Sequence, residues 1–499
     1  MNPNQIRALV TLGLCLALAS FLGYVVAAGN YEIIIYLIYV ALGIFMIVAP
    51  GYTGLIALGL VCPFGPPTPF IYNVPFVALI LGACITKYVL RRWIARRDPP
   101  APQTNLPVSF YLFFAWVFVR YCLDPVAPNV RGFGENVSGF RAYLGYATCL
   151  TLVVFLRCFL RSRGDALAVV RWMGIFSLFF ILLLVPLIFT KSGAIAEALM
   201  RFGLYVTVFD NGWLRFVVLP GFGSTLVALG LLPSLTNWSS GRRRLLVAVG
   251  MAAIIMGGNR GSFLMALLLI LTIAYVRRGF GTVCVLAAPI VICMVVFGYI
   301  AENFRFDQGV GFFRILALTS RRVAEQSGAD ATISWRKVRW ERAMEDIRAR
   351  PVVGHGYGGL ERAFVFGDMS QREAAAIDIG VATGGIHNGF ISGTRALGVP
   401  GLVLFLCAFI GQLIFNWKHA VRYRTSDPAI SDLHCFVFAN LVGMTVGIYV
   451  GADLNSHHLW FYLGFGCLVA ALRKRQVLST EGSESRAEEV GLAPQQVPT

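Results

Sequence analysis

The sequence predicts an all-α protein that crosses a membrane many times. Of its 499 residues, 57% are hydrophobic and only 13% are charged, so lipid must be the main solvent of the chain. The mean hydropathy of +0.71 agrees. Apolar runs close to the roughly 20 residues that cross a bilayer as a helix recur from Ile6 to Leu472. Short basic clusters punctuate them: Arg91, Arg92, Arg96 and Arg97; Arg161 and Arg163; Arg242 to Arg244; Arg277 and Arg278; Lys418, Arg422 and Arg424; Arg473 to Arg475. They fall on every second connection, the pattern of cytoplasmic loops, so the remaining connections face outward. The formal net charge of +17 thus belongs to span ends and not to a stripe with interleaved aromatics, and no nucleic-acid partner is expected.

In chain order, spans are expected near 6–28, 31–49, 52–65 and 75–93, the first a retained span and not a cleaved signal. The outer CPFGPPTPF and the inner DPPAPQTNLP are Pro-rich connections. Spans near 108–122, 139–160, 167–190 and 213–235 lead to a turn at Arg242 to Arg244, completing an N-terminal region of residues 1–244. Two short apolar segments, 245–257 and 262–276, are joined by GGNRGS, and the alternation of sides puts Arg260 outside. With a span near 281–300 they make up residues 245–300. Three final spans, starting near 387, 433 and 459, fill residues 386–472, and residues 473–499 read as a disordered cytoplasmic tail. The total is about 12 to 14 spans.

Residues 301–385 form one long polar insertion, facing outward. Within it, SWRKVRWERAMEDIRARP sets Trp335, Val338, Ala343, Met344 and Ile347 among charges, as in an amphipathic helix stopped by Pro351. Arg336, Lys337, Arg339, Arg342, Arg348 and Arg350 outnumber Glu341, Glu345 and Asp346, and most of these charges read as solvated ion pairs. The eleven cysteines lie in or at the ends of apolar runs, so neither a disulfide framework nor a CxxC metal site is expected. No Asp-x-Asp or Glu-x-Glu pair lies on an outer connection, and no metal or other cofactor is expected. His457 and His458, near Asp453, read as interfacial histidines.

The chemistry is best sought in GGIHNGFISGTRALGVPG, Gly384 to Gly401. His387 stands at the outer mouth of a helix, either as a base that accepts a hydroxyl proton near neutral pH or as an interfacial residue that orients the helix start. Asn388 can cap that helix. Gly385, Gly389, Gly393 and Gly401 share a four-residue register, suggesting a face where another backbone approaches. Arg395, two turns in, needs a partner or a wet cavity. Arginines on the same side suit a phosphate-bearing ligand, since the guanidinium fork stays charged and donates two parallel hydrogen bonds. Arg260 and the insertion's arginines come first, with Arg215, Arg120 and Arg141, near outer span ends, as further donor-site residues.

His387-Asn388, nine residues and then Gly398-Val399-Pro400-Gly401 resemble the H-N-x9-G-x-x-G pattern of the O-antigen ligase and polymerase superfamily. Arg260 to Leu264 is similar to that family's outer R-x3-L. Arg336 to Trp340, then Pro351 and GHGYGG, is similar to its R-x3-W, P and G-x-G run. The resemblance implies a GT-C type glycosyltransferase in the bacterial inner membrane, with a periplasmic active site and a helical periplasmic loop. It implies transfer of a glycan from undecaprenyl diphosphate to a hydroxyl, with inversion and without metal. The acceptor would be lipid A-core in a ligase, or another carrier-linked glycan in a polymerase, among membrane lipids. Carried over, Arg260 and Arg336 would hold the diphosphate, beside Asn388, and His387 would be the base or a diphosphate-orienting donor. Many members carry a carboxylate two residues before the first glycine, where this chain has Ala396. A transporter or flippase for a lipid-linked sugar is the rival from another class, but it would line the membrane midplane with polar residues.

Overall fold

The computed structural model describes residues 51–63, 76–95, 106–125, 139–190, 192–201, 204, 206–208, 214–303, 315, 318–326, 329–357, 381, 386–451 and 453–489. The expected spans near 6–28 and 31–49, and the Pro-rich GPPTPF, lie outside them. The described helices are α1 (Thr53–Val61), α2 (Phe76–Ala95), α3 (Val108–Leu123), α4 (Gly139–Phe159), α5 (Arg163–Ile188), α6 (Gly193–Arg201), α7 (Leu219–Leu231) and α8 (Ser240–Met256). Then follow α9 (Arg260–Arg278), α10 (Phe280–Asn303), α11 (Arg321–Gln326), α12 (Ala329–Ala349), α13 (Gly389–Arg422), α14 (Pro428–Val450) and α15 (His457–Glu489). Six of them, α4, α5, α9, α10, α13 and α14, are long and apolar enough to cross a membrane. The chain is an all-α polytopic membrane protein.

Local chemistry explains where these helices start and stop. Ser162 and Asp165 form a capping box at the head of α5. Asp427 caps α14 with Pro428 in its first turn, and Asn259 caps α9 through the N–H of Gly261. The amphipathic α12 ends at Ala349, just ahead of Pro351.

Three expectations need correction. The span expected over 213–235 is not one helix: Val206–Val208 (β1) and Leu214–Phe216 (β2) pair antiparallel, and a helix follows only from Leu219. The period of two decides it, since Leu214 and Phe216 are buried on one face of the ribbon and Arg215 faces the other way. Arg242 to Arg244 lie in the first turns of α8, not in a turn between spans. The tail does not become irregular at Arg473, because α15 continues to Glu489. A nucleated helix gains one hydrogen bond per added residue, which here outweighs the polarity of the segment.

The core is aromatic where α3, α13 and α15 meet. Phe113 stacks on Trp460 at 5.1 Å, and Phe405 lies 6.0 Å from Phe113. At the basic end of the bundle, ion pairs join Arg277 of α9 to the buried Asp432 of α14, and Arg163 of α5 to Asp427 at 3.0 Å. Asp432 also accepts the N–H of Ser234 at 2.9 Å. These ties fix the helices that carry the opposite end.

Candidate active site

The opposite end is built around a break in α13. Gly398 is non-helical, with φ 72° and ψ 174°, and Pro400 has no N–H to give the carbonyl of Ala396. Gly398 and Pro400 thus interrupt the intrahelical ladder, and three carbonyls here accept donors from elsewhere. The N–H of His355 donates to Arg395 at 2.7 Å, that of Gly356 to Ala396 at 3.0 Å, and the Trp116 indole to Leu397 at 2.7 Å. In return the N–H of Val399 donates to Pro351 at 2.7 Å. A Cβ on Gly398 would overlap the carbonyl of Val352, and one on Gly354 (φ 74°) would come 2.5 Å from the nitrogen of Gly398. Pro351, the G-H-G and the G-V-P-G are thus two halves of one interlock.

This geometry also resolves Arg395. It is 7% exposed and its Nε donates to Asp346 Oδ2 of α12 at 2.7 Å, while the His355 ring lies 2.8 Å from the Asp346 carbonyl. The glycine face expected along this helix is not continuous. Gly385 lies outside the described residues, Gly393 meets the side chain of Leu454, and beyond the break Gly401 meets Trp116. Side chains, not a neighbouring backbone, cover these glycines.

His387 sits one residue before the cap of α13, in the left-handed region at φ 55°. Asn388 is 4% exposed, and its side-chain oxygen accepts the N–H groups of Phe390 and Ile391, both at 3.1 Å. On the other side of His387, the carbonyl of Ile386 accepts the Trp340 indole at 3.0 Å. The imidazole is 5.2 Å from the Trp335 ring, and the Arg339 guanidinium lies 3.7 Å over that indole. A Cβ on Gly451 would lie 3.6 Å from His387 Nδ1. Val450, its neighbour, abuts Gly261 in the first turn of α9, where a Cβ would come within 2.9 Å. Trp340 lies 6.0 Å from Tyr449. Residues 449–451 therefore form a hub touched by α12, His387 and the N-terminus of α9, whose first residue is Arg260.

Partial burial first, and then the nearby Arg336 and Arg339, hold the His387 imidazole below its ordinary pKa. The ring is neutral at pH 7 and keeps a lone pair. Both arginines are half-buried, and Arg336 Nε is buried with no hydrogen-bond partner among the described residues. The α9 N-terminus adds the positive end of a helix dipole. Neutral base, fixed cations and a helix dipole together suit proton removal from a hydroxyl beside a developing anion.

The other expected residues fall in different places. Arg215 donates from Nε to the carbonyl of Gly257 at 3.1 Å, bracing the turn that leads to Arg260. Arg120 is 2% exposed, pairs with Asp124 at 3.1 Å and lies against Gly356, beneath the interlock and not at the hub. Arg141 is in the first turn of α4, and its side chain is outside the described residues. The sequence marks Trp335 as an apolar residue of α12 and Arg339 as one of its arginines, and their spacing of four residues brings them to one helix face, where the guanidinium lies over the indole. The His457 and His458 rings lie 4.3 Å apart, tilted by 34°, and the described residues hold no group of three or more His, Cys, Asp or Glu that could bind a metal.

Residues 245–406 match the family model described as O-antigen ligase. The match supports the likeness of this segment to the O-antigen ligase and polymerase superfamily. The matched segment runs from α8 to the middle of α13 and so contains Arg260, Arg336, the interlock and His387. The match supports a multi-pass membrane enzyme of the ligase or polymerase type, acting on a lipid-linked glycan in polysaccharide biosynthesis. No curated protein matches the chain.

Proposed function

We propose that the protein is an O-antigen ligase of the inner membrane, joining a glycan from undecaprenyl diphosphate to a lipid A-core hydroxyl at the periplasmic face. The observation that carries this reading is the hub at residues 449–451, where the α9 N-terminus, Trp340 of α12 and His387 meet, with Arg336 and Arg339 close to the neutral imidazole. His387 takes the proton of the acceptor hydroxyl, whose oxygen attacks the anomeric carbon on the face opposite the leaving group. The bond from that carbon to the diphosphate oxygen breaks, and its electron pair leaves with undecaprenyl diphosphate. The configuration inverts. Arg260 and Arg336 neutralise the departing charge in the role a metal would otherwise fill.

The test is transfer by purified protein in EDTA, with a polyprenyl-diphosphate-linked glycan and separate acceptors. Joining to lipid A-core supports the ligase, joining to a second carrier-linked glycan makes the protein a polymerase, and lipid movement without bond formation makes it a flippase. His387→Ala is expected to abolish transfer while the protein stays folded and inserted. Full activity in that variant would remove His387 from the chemistry.

A further inference from the structure

A general base must be oriented as well as neutral, and at His387 no hydrogen bond does the orienting. Among the described residues the imidazole has no hydrogen-bond partner, and its one ring contact is the Trp335 indole at 5.2 Å. Its backbone is left-handed, so the side chain projects from a neck between two fixed points, the Trp340–Ile386 bond and the Asn388 cap. The indole is itself anchored. The Arg339 guanidinium, one helical turn further along α12, lies 3.7 Å over it, and Arg336, the next residue after Trp335, contributes to the same electrostatic field. Trp335 is 38% exposed, so its burial against the core does not explain its place.

We propose that Trp335 is a positioning residue for His387: the indole, clasped by Arg339, confines the imidazole to the orientation in which it meets the acceptor hydroxyl. The proposal rests on the transferase reading for its effect on rate, but not for its effect on the ring. The cation serves both neighbours, since one guanidinium holds the indole and adds positive charge near the imidazole. A base displaced by about 1 Å loses on the order of a hundredfold in rate, and without the indole only the neck restrains the ring.

The experiment compares Trp335→Leu and Trp335→Phe with wild type, using histidine-labelled protein in detergent and full steady-state kinetics. For Trp335→Leu we expect kcat to fall by about a hundredfold with donor KM little changed. The His387 ring resonances should lose their aromatic ring-current shift, and their titration midpoint should move up toward that of free imidazole. Trp335→Phe, which keeps an aromatic face, should recover most of the rate. If Trp335→Leu does not fold, Trp335→Gln at this 38% exposed position replaces it, with the same lost ring-current shift and raised His387 midpoint expected and an unmoved titration again overturning the proposal. An unmoved His387 titration in Trp335→Leu overturns the proposal, whatever the activity. If wild type transfers no glycan, the transferase reading fails, and the resonances still decide whether Trp335 holds the ring.

Discussion

At His387 the protein keeps an imidazole neutral by surrounding it with cations and partial burial, with no carboxylate paired to it among the described residues. The sign of the resulting pH dependence follows. With its pKa held down, the ring remains a base below pH 6.5, so the acid limb of kcat/KM should lie on the acid side of the ordinary imidazole value. Arg339→Gln removes one of the two charges and should move that limb to higher pH, as a pH profile of transfer would show. An unshifted limb would mean that another group sets it. Residue type and expected side of the membrane single out His387 and Arg260 in the sequence, the family resemblance adds Arg336, and all three stand as proposed site residues. The contact of the Trp335–Arg339 pair with His387 was not legible, because it depends on how α12 is rotated about its own axis. Asn388 was legible as a cap from its place before the helix, and its oxygen is committed to that task.

Among the elements, the interlock between residues 351–356 and the break in α13 makes the sharpest demand on sequence. Gly398→Ala places a side chain at φ 72° against the Val352 carbonyl and should cost more than about 2 kcal/mol. Gly411→Ala, in the same helix with open space around it, should be neutral or slightly stabilising. A thermal-unfolding comparison of the two in detergent checks this. The Arg395–Asp346 pair offers a second test. Asp346→Ala leaves a buried guanidinium without its carboxylate and should cost about 3 kcal/mol, whereas Arg395→Met with Asp346→Leu should recover much of the loss. Most spans within the described residues could be drawn from apolar length alone. The β1–β2 ribbon could not, since its strands are three residues each and sit inside a longer apolar run. The interlock was visible only as two Gly-rich motifs 42 residues apart, from Gly356 to Gly398, and nothing in their spacing says that they hydrogen-bond to each other.

Taken as a whole, the bundle has two polar ends of different character. One is tied by ion pairs, Arg277 to Asp432 and Arg163 to Asp427; the other carries the hub and the arginines of α12. The proposed orientation puts the second end outside. In a cysteine-free background, a membrane-impermeant maleimide should label Glu345→Cys on intact spheroplasts and reach Arg475→Cys only after lysis. The reverse pattern would invert the topology and withdraw the periplasmic reading. The interlock has a further consequence for how such a molecule is made. A helix broken at Gly398 would enter the bilayer with bare carbonyls at Arg395, Ala396 and Leu397, and lipid offers them no donor. The chain is synthesised from its N-terminus, so Trp116 and the N–H groups of His355 and Gly356 already exist when α13 leaves the ribosome. The donors precede the acceptors, and the broken helix is born into a socket waiting for it.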